Sequence, residues 1–208
     1  MIANMSIESS DIKAIGKDLS AQAWARTTQL FKPELLHALF AEACLHEAAQ
    51  SLSPASTGNN EDRAVSALRG DSSLWLDDPR CGMASKSFLD KLDILRNDLN
   101  ELLLLGLESV EAHYSIYPVG SIYSRHRDRF RNDDARILSL VCYLNPDWPE
   151  TAGGHLRLYL KDGDLDIAPQ LGTSVIFSSE EIEHEVMPSA QTRYSIAAWF
   201  RRREIQIR

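Results

Sequence analysis

After Gly106 the chain breaks into short runs of alternating apolar and polar residues separated by turn formers: AHYSIYP, SIYSRHRDRF, RILSLVCYLN, HLRLYL, LDIAP, TSVIFS, HEVMP and RYSIAAWF. A period of two marks half-buried strands, and runs of this length with turns every 8 to 12 residues or so restrict the fold to a sandwich or a barrel. A jelly roll is the all-β form whose interior commonly carries a metal site.

Upstream the period changes. Pro33 opens PELLHALFAEACLHEAAQ, where Leu35, Leu36, Leu39, Phe40, Ala43 and Cys44 recur at three- and four-residue steps and predict a helix with one apolar stripe. Phe88, Leu89, Leu92, Leu95, Leu99, Leu102 and Leu103 do the same between Ser85 and Gly106, with Ser85 or Ser87 as the expected cap and Gly106 as the stop. Ser9 to about Gly16 reads as a short helix, Trp24 to Phe31 as a strand, and Ser51 to Arg63 as an exposed loop. The expected class is α+β: residues 1–108 form a helical support region with one or two strands, packed on a β core of residues 109–208.

With 208 residues and 44% hydrophobic content the chain can bury a full core. No stretch approaches the roughly 18 apolar residues of a membrane span, and the start lacks a basic segment followed by an apolar run, so a cytoplasmic protein is expected. Cys44, Cys81 and Cys142 show no CxxC spacing and are read as reduced thiols. A net charge of -8 argues against general nucleic-acid binding. Local basic islands exist: Arg125, Arg127, Arg129 and Arg131 alternate, and Arg201, Arg202, Arg203 and Arg208 crowd the C-terminus. The first group is expected near a cavity rim, able to dock an acidic protein segment. His37 and His46 are read as helix-surface residues.

In SRHRDRF, His126 and Asp128 are two positions apart, so on a strand both project to one face and can grip one ion. His184 follows 56 positions after Asp128, which suits a strand returning beside the first. Two imidazoles and one carboxylate leave open positions on a metal, the arrangement associated with non-haem iron(II) oxygenases. A structural metal site or a hydrogen-bonded core cluster is the alternative. Arg193 comes nine positions after His184 and could turn its guanidinium inward to pair bidentately with a carboxylate.

These residues lie in a longer pattern. YPVGSIYSRHRD, RILSLVCYLNPDWPETAGGHLRLY and HEVMPSAQTRYSIAAWF, with ALRGDSSLWL more weakly, resemble the prolyl-4-hydroxylase-like 2-oxoglutarate oxygenases, and among them the oxygen-sensing prolyl hydroxylases and their bacterial relatives. The resemblance implies a double-stranded β-helix buttressed by N-terminal helices. It implies that His126, Asp128 and His184 bind Fe(II), that Arg193 and Tyr143 hold the far carboxylate of 2-oxoglutarate, and that Tyr117 and Trp199 line the pocket. The implied reaction couples 2-oxoglutarate decarboxylation, to succinate and CO2, with hydroxylation by O2, with ascorbate as a possible reductant. The implied partner is a protein bearing a prolyl loop, with elongation factor Tu as one target; the same chemistry on a free amino acid or other small molecule is the alternative. A nucleobase-repair oxygenase shares the triad but favours a basic groove, and a non-catalytic metal-binding module would not need Arg193. A shorter segment between Tyr117 and His126, and the charged RFRNDDA, depart from the animal oxygen sensors and bear on substrate choice.

Overall fold

The structure is a computed structural model and describes residues 9–55, 69–129 and 135–203. Three helices lead the chain: α1 (Ser9–Gln22), α2 (Pro33–Ala48) and α3 (Met83–Leu103). Three short strands lie among them: β1 (Trp24–Thr27), β2 (Ser53–Pro54) and β3 (Ser72–Trp75). The eight alternating runs become β4 (Leu107–Tyr117), β5 (Tyr123–His126), β6 (Arg136–Tyr143), β7 (Leu156–Leu160), β8 (Gly163–Ile167), β9 (Ser174–Ser178), β10 (Glu183–Val186) and β11 (Arg193–Arg202). No described helix is long and apolar enough to cross a membrane.

Two sheets face each other. The larger has the order β1-β9-β6-β11-β4-β3-β2, and the smaller β5-β10-β7-β8. Four central strands of the first and the four of the second make the double-stranded β-helix expected from the sequence, while β1, β2 and β3 extend the large sheet at its edges. All the pairings between these strands are antiparallel, so each strand presents alternate residues to opposite faces. Along β11, Ile196, Ala198 and Phe200 enter the core beneath the helices, with Leu39, Phe88, Leu92, Leu95 and Leu99. Arg193, Ser195, Ala197 and Trp199 line a cavity between the sheets. Tyr117, Tyr143, Leu158, Val175, Phe177 and Val186 form a second, smaller core there.

Several element ends differ from the sequence reading, each for a local reason. The strand expected over Trp24–Phe31 stops at Thr27, whose Oγ1 accepts the Gln29 N–H and turns the chain, and Leu30 and Phe31 are buried instead as loop residues under the helices. Helix α1 runs past Gly16 to Gln22, because Leu102 and Leu103 pack over that glycine. Neither Ser85 nor Ser87 caps α3. The cap is Gly82, and the Glu42 carboxylate reaches over from α2 to accept the Gly82 N–H at 2.9 Å and the Ser85 hydroxyl. At the other end Leu104 itself takes the left-handed conformation, at φ 54, ahead of Gly106, and Asn100 bonds both backbone groups of Leu107. Of the loop expected at Ser51–Arg63, Ser53 and Pro54 pair with β3 and positions from 56 onward lie outside the described residues, as do Arg131 and Arg208.

Candidate active site

His126 and His184 are directly opposite each other across the β5–β10 pair. One residue more is spent on β5 between His126 and Tyr123 than on β10 between His184 and Val186, and this bulge turns both Tyr123 and His126 into the cavity despite their odd spacing. The two rings stack with centroids 3.6 Å apart. Asp128 lies just past the end of β5, in a bend, where its carboxylate meets both imidazoles: His126 Nε2 is 3.4 Å from Oδ1 and His184 Nε2 is 3.8 Å from Oδ2.

Each imidazole is fixed through its other nitrogen. His126 Nδ1 lies 2.7 Å from the Ser124 carbonyl and His184 Nδ1 3.3 Å from that of Ile182. A carbonyl can only accept, so the Nδ1–H tautomer is selected and the Nε2 lone pairs face the carboxylate, as in a metal centre. Ligands at about 2.1 Å from one ion, set at right angles, are roughly 3 Å apart, so small side-chain shifts bring this trio onto a metal. Burial alone would raise the Asp128 pKa, but the His184 and His126 imidazoles hold its carboxyl well below the usual range. Burial lowers His184 to about 4, against the pull of Asp128. At neutral pH the cluster is therefore one carboxylate and, at His184, a neutral imidazole, a donor set suited to a divalent cation.

Arg193, at the start of β11, is 1% exposed. Its Nε donates to the Gly154 carbonyl at 3.1 Å and its Nη1 to Ser195 Oγ at 3.2 Å, and the guanidinium sits 5.0 Å from the Tyr117 ring and 4.9 Å from the Tyr143 ring. Among the described residues no carboxylate lies within ion-pair distance of it. The Tyr143 hydroxyl is buried with no hydrogen-bond partner among the described residues, and burial raises its pKa against the nearby Arg193 charge. A fully buried cation next to an orphaned hydroxyl, in the cavity of the triad, fits a ligand carboxylate. Gly154 makes the approach possible: it holds φ at +70, and a Cβ there would lie 2.9 Å from Ser189 and 3.0 Å from Trp148.

Tyr117 and Trp199 line the same cavity, whereas Tyr143 contacts it through Arg193. Sequence reading passed over Arg69, Asp71 and Tyr123 as site residues. Arg69 binds Asp71 through two hydrogen bonds, at 2.6 and 3.1 Å, and lies 4.8 Å over the Tyr123 ring at the pocket wall. Their signal was the RGD of ALRGDSSLWL. Its glycine lets the strand pass the 118–122 turn, where a Cβ would come within 2.9 Å of Ser121.

The arginines expected to dock an acidic segment are engaged by the protein's own carboxylates. Arg125 and Arg127 pair with Glu183, and Arg129 with Glu180. They stay outside the lining of the triad's cavity, where three guanidiniums share two carboxylates and are only partly balanced at the surface. His155 stays outside the cavity lining, and His46 is 9% exposed instead of on the helix surface.

The model of the 2OG-Fe(II) oxygenase superfamily matches residues 112–201, which begin within β4 and end within β11. A Pseudomonas putida prolyl-4-hydroxylase of known crystal structure is 39% identical, superposes with a TM-score of 0.84, and is covered completely by 93% of this chain. A Trichoplax adhaerens prolyl hydroxylase, solved with a hypoxia-inducible factor peptide, shares the fold at a TM-score of 0.83 and 23% identity, over 92% of this chain and 89% of its own. Egl nine homolog 1 of Homo sapiens is 32% identical over 143 residues, 64% of this chain; the chain spans 33% of the length of that relative. The likeness to the Pseudomonas enzyme runs through the strands that carry the triad and Arg193, and the chain belongs to the 2OG-Fe(II) oxygenase superfamily, in its prolyl hydroxylase branch, whose members use Fe(II), 2-oxoglutarate and O2.

Proposed function

We propose that the protein is a prolyl 4-hydroxylase of the cytoplasm acting on a protein substrate, with elongation factor Tu as a candidate target. The observation that carries this reading is the pairing, in one cavity, of the His126, Asp128 and His184 cluster with a buried Arg193 that has no carboxylate partner among the described residues. Iron(II) held by that cluster would supply O2 activation, with 2-oxoglutarate as electron donor, released as succinate and CO2, and ascorbate as reductant between cycles.

The chain's own residues do the positioning. Arg193 and Tyr143 receive the far carboxylate of 2-oxoglutarate, and Gly154 and Ser195 keep the guanidinium from rotating. Tyr117, Val141 and Leu156 give the cavity apolar walls that keep bulk water from the reacting C–H bond. Trp199 and the Arg69–Asp71 pair form its wall toward β3 and β4, where an extended prolyl segment would enter. The net charge of -8 is in keeping with a protein partner over a nucleic acid.

The test begins with anaerobic addition of iron(II) and 2-oxoglutarate to metal-free protein. A visible charge-transfer band that His126→Ala abolishes and Arg193→Ala weakens is the expected result. Aerobic incubation with elongation factor Tu should then yield succinate in step with one added oxygen atom on a proline, read by mass spectrometry. Succinate release stimulated only by small molecules would move the assignment to a small-molecule oxygenase. No band from folded, iron-loaded protein would sink the oxygenase reading in favour of a metal-binding module.

A further inference from the structure

A second cluster of ligand-type side chains lies on the helix side of the large sheet, away from the cavity. Glu42 and His46 are one turn apart on α2, and Cys81 immediately precedes the Gly82 cap of α3. One ligand atom from each falls within 4.8 Å of the others. The sequence pattern did not announce it, because 35 positions separate His46 from Cys81 and no CxxC spacing is present.

The hydrogen bonding around the cluster is incomplete in a specific way. Glu42 spends Oε1 on the Gly82 N–H and the Ser85 hydroxyl, and among the described residues nothing donates a hydrogen bond to Oε2. Gly82 leaves room for that oxygen: a Cβ there would lie 2.8 Å from Oε2. The His46 side chain is 11% exposed, and its Nε2 lies 4.0 Å from Glu42 Oε1. Cys81 is 6% exposed, a free thiol whose Sγ donates weakly to the Trp75 carbonyl at 3.3 Å. An imidazole and a carboxylate at the edge of solvent, beside a buried thiol, thus offer three ligand atoms to one cation.

We propose that Glu42, His46 and Cys81 form a binding site for a zinc-class divalent cation, separate from the triad and independent of the oxygenase reading. Thiolate, imidazole and carboxylate are the three side-chain ligands zinc takes, and water completes a tetrahedron. Binding displaces the Cys81 proton to solvent, so the cation meets one thiolate and one carboxylate and the site is electrically neutral. Ordinary capping uses Glu42 Oε1 alone and does not require the imidazole and thiol that stand within 4.8 Å of that carboxylate. The ion would tie α2 to the start of α3 and to the 76–82 turn that leaves β3.

Cobalt(II) separates this site from the triad, since only Cys81 offers a thiolate. Anaerobic titration of Co(II) into reduced, metal-free full-length protein should give near-ultraviolet thiolate-to-cobalt absorption, reversed by Zn(II). His126→Ala should retain the band, Cys81→Ser should abolish it, and His46→Gln should weaken affinity at least about tenfold, the scale of even outer-shell losses. Near-ultraviolet circular dichroism verifies that each variant is folded. A folded His126→Ala protein without the band overturns the proposal, and so does a band that survives Cys81→Ser. Cobalt d–d absorption without thiolate charge transfer would likewise overturn it while leaving the triad intact.

Discussion

Replacing Arg193 by Met tests the reading of the pocket most directly, because binding should be lost while stability is largely kept. The guanidinium is buried without an ion-pair partner among the described residues, so its desolvation is offset only by Gly154, Ser195 and two aromatic faces. Exchanging buried ionic groups for apolar ones of similar volume is often neutral or stabilises by roughly 1–4 kcal/mol, and leaving the Gly154 carbonyl unpaired costs about 1 kcal/mol. The net runs from a loss of about 1 kcal/mol to a gain of about 3 kcal/mol, or a Tm shift between roughly -4 and +10 °C for a chain of this size. Wild-type protein loaded with Mn(II) under nitrogen should gain about 2.7 kcal/mol when 2-oxoglutarate is supplied at about a hundred times its Kd. Arg193→Met should lose that gain. Differential scanning fluorimetry with and without 2-oxoglutarate reads both effects. A fall of about 3–5 kcal/mol in the ligand-free protein, the cost of breaking a buried pair, would refute the reasoning, and so would a 2-oxoglutarate shift that persists in the variant.

Two further outcomes are expected. Tyr143→Phe removes an orphaned hydroxyl, so stability without ligand should hold or rise, while KM for 2-oxoglutarate should increase roughly 3- to 10-fold, the worth of one hydrogen bond; an unchanged KM would remove Tyr143 from the site. His113, buried against Trp75 and Trp199 and held by the Tyr114 carbonyl and Ser115, is lowered to about 4, by burial first and then by Arg69, against the opposite pull of Asp71. The unfolded chain therefore binds the extra proton first, so this stability is fully present above about pH 6.5 and is lost as pH falls toward 4, at about 1.4 kcal/mol per unit or roughly 3 kcal/mol in all. Denaturant melts of wild type and His113→Gln across that window should show a shallower acid loss in the variant, and parallel curves would contradict the assignment.

The β half was legible because its code is local. Alternation marks each strand within a few residues, and the HxD pair with a returning histidine needs only correct pairing, which the His126–His184 register supplies. What escaped the sequence depends on contacts between distant segments. The Glu42 cap on α3 arises only once α2 docks against the 76–82 turn, and the burial of His46 was masked by its residue type: it continues the stripe of Leu36, Leu39 and Ala43 at helical spacing, but a polar ring there reads as exposed. The stacking of Tyr123 on His126 was hidden for a different reason. Strict alternation puts residues three apart on opposite faces, and only the bulge on β5 reverses that. The partners of the arginines at and after β5, Glu180 and Glu183, come from a segment that no local pattern connects to them.

The alternation of β11 also governs how this chain can change in descent. Its odd positions, 193 through 199, furnish the cavity and its even positions, 194 through 200, the packing under the helices, and the strand is bonded on both sides, to β4 and β6. Losing or gaining one residue within the strand would exchange the two sets, sending Ile196 and Ala198 into the cavity and Ser195 and Trp199 beneath the helices. Loops between strands can lengthen or shorten and so shift substrate choice, but β11 can diverge only by substitution, and each substitution is answerable to a single face.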